Sequence, residues 1–146
     1  MSTPKTPRTG RVEDHRLTTG QGRYTDDLHA EGALWAVFVR SPYGAASIAG
    51  IDVSDAVGMP GVVAVFTEAD LAADGVGAVS AAMALEGPDG HKWVQTDRYL
   101  LARDEARFIG EPLAMVVAET REAALDAAEL VAADLSEHEA VVTISD

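Results

Sequence analysis

One stretch constrains the fold of this chain more than any other: residues 107–133, an apolar run followed by an alanine-rich amphipathic segment. It reads Arg107-Phe-Ile-Gly-Glu-Pro-Leu-Ala-Met-Val-Val-Ala-Glu-Thr120. Pro112 to Ala118 is unbroken and apolar. It is too short to cross a bilayer and has the length of a buried strand. Gly110-Glu111-Pro112 forms a turn ahead of it: Gly tolerates φ > 0, and Pro suits a strand start because its fixed φ needs no donor there. Thr120 is placed to cap a helix, its hydroxyl accepting from a free amide of the first turn. Over 121–133, Ala124, Ala127, Ala128 and Val131 share one side, flanked by Leu125 and Leu130; Glu122, Asp126 and Glu129 share the other. A face of alanines lets the helix axis lie close to a sheet.

The rest of the chain supplies further strands. Residues 33–40 and 62–66 are apolar at both parities, as central strands are, and Trp35 is expected in the core. Ile48 to Asp52 is a short strand, and Ser54 caps a brief turn of helix closed by Met59-Pro-Gly61. Thr67-Glu-Ala-Asp70 has the spacing of a capping box and opens another short helix. Residues 100–102, 106–109, 135–138 and 140–144 are minor strand candidates. Between 72 and 97 glycines recur, and the chain is irregular apart from a candidate helical turn over 80–85. Three two-sided strands and one long helix (about 120–133) leave a sheet face uncovered. Either other strands fold over it or a partner does.

Composition narrows the function classes. Hydrophobic residues make up 47% of the 146, so the chain folds, and as a single domain over 11–146 behind a polar tail at 1–10 that carries Pro4 and Pro7. There is no cysteine, which removes disulfides, thiolate metal sites and a thiol nucleophile from these residues and fits a reducing, cytoplasmic location. The formal net charge of −13 repels phosphate backbones and anionic bilayers, so neither nucleic acid nor membrane is an expected partner. The amino-terminal residues lack the apolar segment of a signal peptide.

Motifs for chemistry are sparse. Gly20-Gln-Gly22 neither follows a strand nor opens a helix, so a structural glycine loop is favoured over phosphate binding. The histidines at 15, 29, 91 and 138 lack the i, i+4 spacing of helix-borne metal ligands. Glu111, held in a rigid turn, is the carboxylate best placed for acid–base work. Its structural reading, capping local amides or pairing with Arg23 or Arg40, is preferred because no nucleophile or metal partner stands beside it. Trp93, in the irregular region, suggests a contact surface.

Six segments in order resemble a known family: Gly20-Gln-Gly-Arg-Tyr-Thr-Asp26; Phe38-Val-Arg-Ser-Pro42; Ile51-Asp52; Pro60-Gly-Val-Val-Ala-Val-Phe-Thr67 with Asp70; Arg107 to Glu119; and Ala127-Ala-Glu-Leu-Val131. Together they are similar to the beginning of the large subunit of molybdenum hydroxylases, among which are xanthine dehydrogenase, aldehyde oxidase and aerobic carbon monoxide dehydrogenase. The resemblance spans about residues 11–142 and implies an α+β fold: the α/β-hammerhead, a mixed sheet with one principal helix and short accessory helices. It implies molybdopterin, iron–sulfur clusters and FAD for the whole assembly. In the family, pterin-binding residues and the catalytic glutamate belong to a later, larger domain, expected to be absent from these 146 residues. No catalytic, cofactor-binding or metal residue is therefore expected here. One departure is local: where the family often follows Ser-Pro with His-Ala-His-Ala, this chain has Tyr43-Gly-Ala-Ala-Ser47.

Three readings of function follow. The first is a non-catalytic docking component between a molybdopterin-domain chain and iron–sulfur and flavin subunits. Its candidate interface or turn residues are Arg40, Ser41, Pro42, Tyr43, Trp93, Gly110, Glu111 and Pro112. The second is a stand-alone domain recruited as a small-molecule-binding enzyme, which requires a closed apolar pocket. The third is a homo-oligomeric binding or scaffold protein.

Overall fold

The structure is a computed structural model that describes residues 10–28, 30–79, 87–90 and 96–144. The chain divides into two compact units, residues 1–33 and residues 34–146. In the first, α1 (Asp14–Thr18) is a short helix without buried residues, followed by a 3-10 turn at Thr25–Asp27. The Asp27 carboxylate accepts from the Tyr24 N–H at 2.9 Å and so holds that turn. The glycine loop between them is shaped by sterics. Gly20 sits at φ +71, and a Cβ on Gly22 would meet the Leu17 side chain at 3.0 Å.

The second unit is built around β5 (Pro112–Ala118). It pairs antiparallel with β1 (Trp35–Arg40) on one side and β3 (Val62–Thr67) on the other. β5 is thus the middle strand of a three-stranded sheet. A second three-stranded sheet places β2 (Ala46–Asp52) between β4 (Glu105–Ala106) and β6 (Ala132–Glu137), again antiparallel. Two antiparallel sheets thus stand where one mixed sheet was expected, within an α+β hammerhead. Three more helices complete the described elements: α2 (Ser54–Val57), α3 (Glu68–Ala73) and α4 (Arg121–Glu129).

Alternation along β5 divides the core in two. Ala114 and Val116 point to the helices and form one cluster with Ala56, Ala127 and Val131. Small side chains at 114, 124 and 127 let α4 lie directly on the sheet, as its sequence requires. Leu113, of opposite parity, joins Ala46, Ala102 and Ala106 in a second cluster beneath the second sheet. Leu113 and Val116 are the largest fully buried side chains, each contributing roughly 1.5–3 kcal/mol of burial. The face that one helix cannot cover is therefore met, at the Leu113 end, by folded-over strands.

Several local expectations hold and several give way. Thr120 caps α4, its hydroxyl accepting from the Ala123 N–H at 3.1 Å. In the Thr67–Asp70 box, the Asp70 carboxylate accepts from both the amide and the hydroxyl of Thr67 at 2.7 Å. The helix expected to reach 133 ends at Glu129. The Leu130 amide turns back to the Ala127 carbonyl, Val131 buries in the helix cluster, and Ala132 already pairs with Asp52. Burying Val131 and satisfying β2 outweigh the helix propensity of Ala132-Ala133. β1 and β3 flank the sheet instead of lying inside it, so Trp35 is 49% exposed and is not core. α2 is capped by Asp52 rather than by Ser54: the Asp52 carboxylate accepts from the Ser54 amide at 2.9 Å and its hydroxyl at 2.5 Å. Residues 100–102 and 140–144 are not strands, and the strand expected at 106–109 shrinks to β4. The candidate turn at 80–85 lies outside the described residues.

Candidate functional site

The end of β1 and the approach to β5 meet in a hydrogen-bonded joint. β1 runs out at Arg40 with a register shift, pairing it with Pro112. Ser41 then crosses to the facing turn: its N–H donates to the Glu111 carbonyl at 2.9 Å, and its carbonyl accepts from the Gly110 N–H at 2.8 Å. Gly110 takes φ +87, the conformation that lets its amide face Ser41. The Arg40 guanidinium donates to the Gly110 carbonyl at 2.8 Å, and the Pro112 carbonyl accepts from the Ala102 N–H at 2.7 Å.

Ser41 is 2% exposed, yet every polar atom it carries is engaged. Its hydroxyl donates to the Tyr43 carbonyl at 3.0 Å and accepts from the Tyr43 N–H at 3.1 Å. Pro42 stays exposed at the tip, and Tyr43 packs half-buried against the second cluster. The Glu111 carboxylate accepts from the Arg107 N–H, so it braces its own turn. Arg40, Ser41, Pro42, Tyr43, Gly110, Glu111 and Pro112 thus form one construction. Trp93 and His91 lie outside the described residues.

Two half-open clefts flank this joint. One of about 390 Å³ is lined by charged and polar groups, including Arg103, Asp104, Arg107 and Glu111. The other, about 360 Å³, is bordered by Tyr99, Arg107 and Phe108. Arg103 anchors the first cleft. It donates to Glu68 at 2.5 and 2.8 Å and to the Tyr99 hydroxyl at 3.1 Å, and its guanidinium lies 4.2 Å from that ring's centroid. The hydrogen bond to Glu68 raises the Arg103 pKa above its ordinary value. Arg107 donates to the Asp97 carbonyl at 2.9 Å. The first cleft is mostly polar and the second mostly apolar, and both are open to solvent rather than closed pockets.

Sequence reasoning missed two groupings, Arg103 with Glu68 and Tyr99, and Ser47 with His138, whose Nε2 lies 2.6 Å from the Ser47 hydroxyl. The Arg103–Glu68 and Ser47–His138 contacts join segments far apart in the chain, so no local spacing signals them. Among the described residues, no three of His, Asp and Glu are grouped as metal ligands. No helix among them is long and apolar enough to cross a membrane.

Known proteins resemble this chain over most of its length. The family described as aldehyde oxidase and xanthine dehydrogenase, a/b hammerhead domain, matches residues 19–139. The nicotine 6-hydroxylase large subunit of Paenarthrobacter nicotinovorans is 44% identical over 135 residues, covering 92% of this chain and 16% of that protein. The carbon monoxide dehydrogenase large chain of Afipia carboxidovorans is 41% identical over 124 residues, covering 85% and 14%. The crystal structure of quinoline 2-oxidoreductase from Pseudomonas putida 86 superposes with a TM-score of 0.82 at 42% identity, again over 92% of this chain and 16% of that one. The chain therefore spans about a sixth of the length of such relatives. With the fold, the segment order and the matched span in agreement, the chain belongs to the aldehyde oxidase and xanthine dehydrogenase a/b hammerhead domain family, and resembles part of a molybdenum hydroxylase large subunit.

Proposed function

We propose that this chain is the hammerhead component of a molybdenum hydroxylase: a non-catalytic module that docks a molybdopterin-binding chain to iron–sulfur and flavin subunits. On this reading residues 11–146 are one hammerhead domain behind a tail at 1–10. Molybdopterin, iron–sulfur clusters and FAD reside in the partners, and the assembly works in the cytoplasm. Arg40 to Tyr43, Trp93 and Gly110 to Pro112 serve as interface or spacing elements. One observation carries the reading: nearly all of this chain matches its relatives, yet it accounts for only a sixth of their length. The joint supports it physically. Hydrogen bonds engage every polar atom of Ser41, and one carboxylate oxygen of Glu111 braces its own turn, which supports a role in holding a shape.

The test is a binding measurement. The nicotine 6-hydroxylase large subunit, deleted for the 135 residues that match this chain, is titrated with the chain by calorimetry. A one-to-one complex is expected. Absence of a complex, or turnover of a substrate by this chain alone, contradicts the proposal.

A further inference from the structure

The sheet β1–β5–β3 has two faces, and among the described residues one of them carries the helix-side core cluster while most of the other lies outside both clusters. Val37, Val39, Val65, Ala114 and Val116 look toward the helices. Register places Phe38 and Phe66 on either side of Met115, and Ala36 and Ala64 on either side of Val117, all on the opposite face. None of these six belongs to either core cluster. Among the described residues, Leu113 is the residue of that face that joins the cluster beneath the second sheet. Beyond Leu113, Phe38 is 41% exposed, Ala36 is exposed, and the other four are half-buried. A solvated antiparallel face ordinarily alternates to polar residues; this one is apolar at all six positions.

We infer that this face, the ladder Ala36, Phe38, Met115, Val117, Ala64 and Phe66, is the seat of the molybdenum-binding remainder of a large subunit. The inference rests on the docking reading and names where that body sits. Three observations choose the occupant. The face runs into the joint described above: Arg40 lies 5.5 Å from the Phe38 ring centroid while holding the Gly110 carbonyl. The relatives carry some five-sixths of their length outside the part that this chain matches, and that body has to meet the hammerhead somewhere. A second copy is disfavoured, because each carries −13 and apposing them brings like charge together.

The chain has no cysteine, so single thiols report the seat directly. Phe38→Cys and Val117→Cys are reacted with a maleimide, with and without the deleted nicotine 6-hydroxylase large subunit. Leu125→Cys, on the outer side of α4 and 39% exposed, serves as the control. Labelling at 38 and 117 is expected to slow at least tenfold on complex formation and at 125 to stay unchanged. Phe38→Asp, with its fold verified by circular dichroism, is expected to weaken the complex at least tenfold. If a complex forms but 38 and 117 label freely, or Phe38→Asp binds as tightly as the unsubstituted chain, the seat is elsewhere and the docking reading survives. If no complex forms with the unsubstituted chain, both fail together. If labelling at 38 slows as the chain's own concentration rises, and its mass doubles by light scattering, the occupant is a second copy and the inference is overturned.

Discussion

Ser41 shows how one buried hydroxyl positions a site. Its side chain both donates to and accepts from the Tyr43 backbone, so removal strands a half-buried amide as well as a bond. Ser41→Ala is expected to cost about 1–3 kcal/mol in urea unfolding. Gly110, at φ +87, has open space where a Cβ would project, so substitution there meets backbone strain rather than a clash. Gly110→Ala should cost about 1–2 kcal/mol. Gly77→Ala, at a position with open space and no positive φ, should stay within about 0.5 kcal/mol. Asp70 gives a pH signature. The Thr67 amide, then its hydroxyl, hold the Asp70 carboxyl below the ordinary value of 3.8. A lowered folded-state pKa means the stabilisation is present above the unfolded value and lost as pH falls through the folded one. The stability difference between the unsubstituted chain and Asp70→Asn should therefore be constant near neutrality and shrink below about pH 4, as read by denaturation across that range.

At the scale of elements, β5 and α4 carry the second unit, and both were legible because their signals are local. Pro112 to Ala118 is a continuous apolar run, Thr120 is a cap, and alanines recur at helical spacing. Thr120→Ala should lower stability by about 1 kcal/mol through loss of the cap. Ala127 is completely buried in the cluster that contains Ala114 and Val116, so Ala127→Leu should cost about 1–3 kcal/mol by overpacking. Leu113→Ala should cost about 2–5 kcal/mol, because it empties the contact between the two sheets. These values are checked by equilibrium unfolding. Trp35 and the end of α4 were misread for one reason. An apolar strand looks the same from inside and at the edge of a sheet, and Val131-Ala-Ala133 suits either helix or strand until its neighbour is known. The joint was legible only as two suspicious turns. That Ser41 and Gly110 bond to each other is a contact across 69 positions, which no spacing rule encodes.

For the molecule as a whole, charge and exposed apolar surface act in opposition. A net charge of −13 on 146 residues strains the compact state by self-repulsion and disfavours self-association. Screening shortens from about 30 Å at 0.01 M salt to about 8 Å at 0.15 M, so the melting temperature should rise over that interval in a calorimetric scan. Meanwhile the sheet keeps an aromatic side chain, Phe38, 41% exposed.

The amino-acid sequence by itself determined the units that close within short range: the turn at 110–112, the strand after it, the capped alanine helix, and the order of segments that marks the hammerhead family. Their causes are short-range sterics, capping and periodicity, all present in neighbouring residues. Only the tertiary structure decided which strands flank the sheet, where α4 stops, how the two turns lock and which sheet face carries the helix-side core. Those outcomes depend on which distant segments share the cost of burying polar backbone and apolar area together, and that is a property of the packed chain.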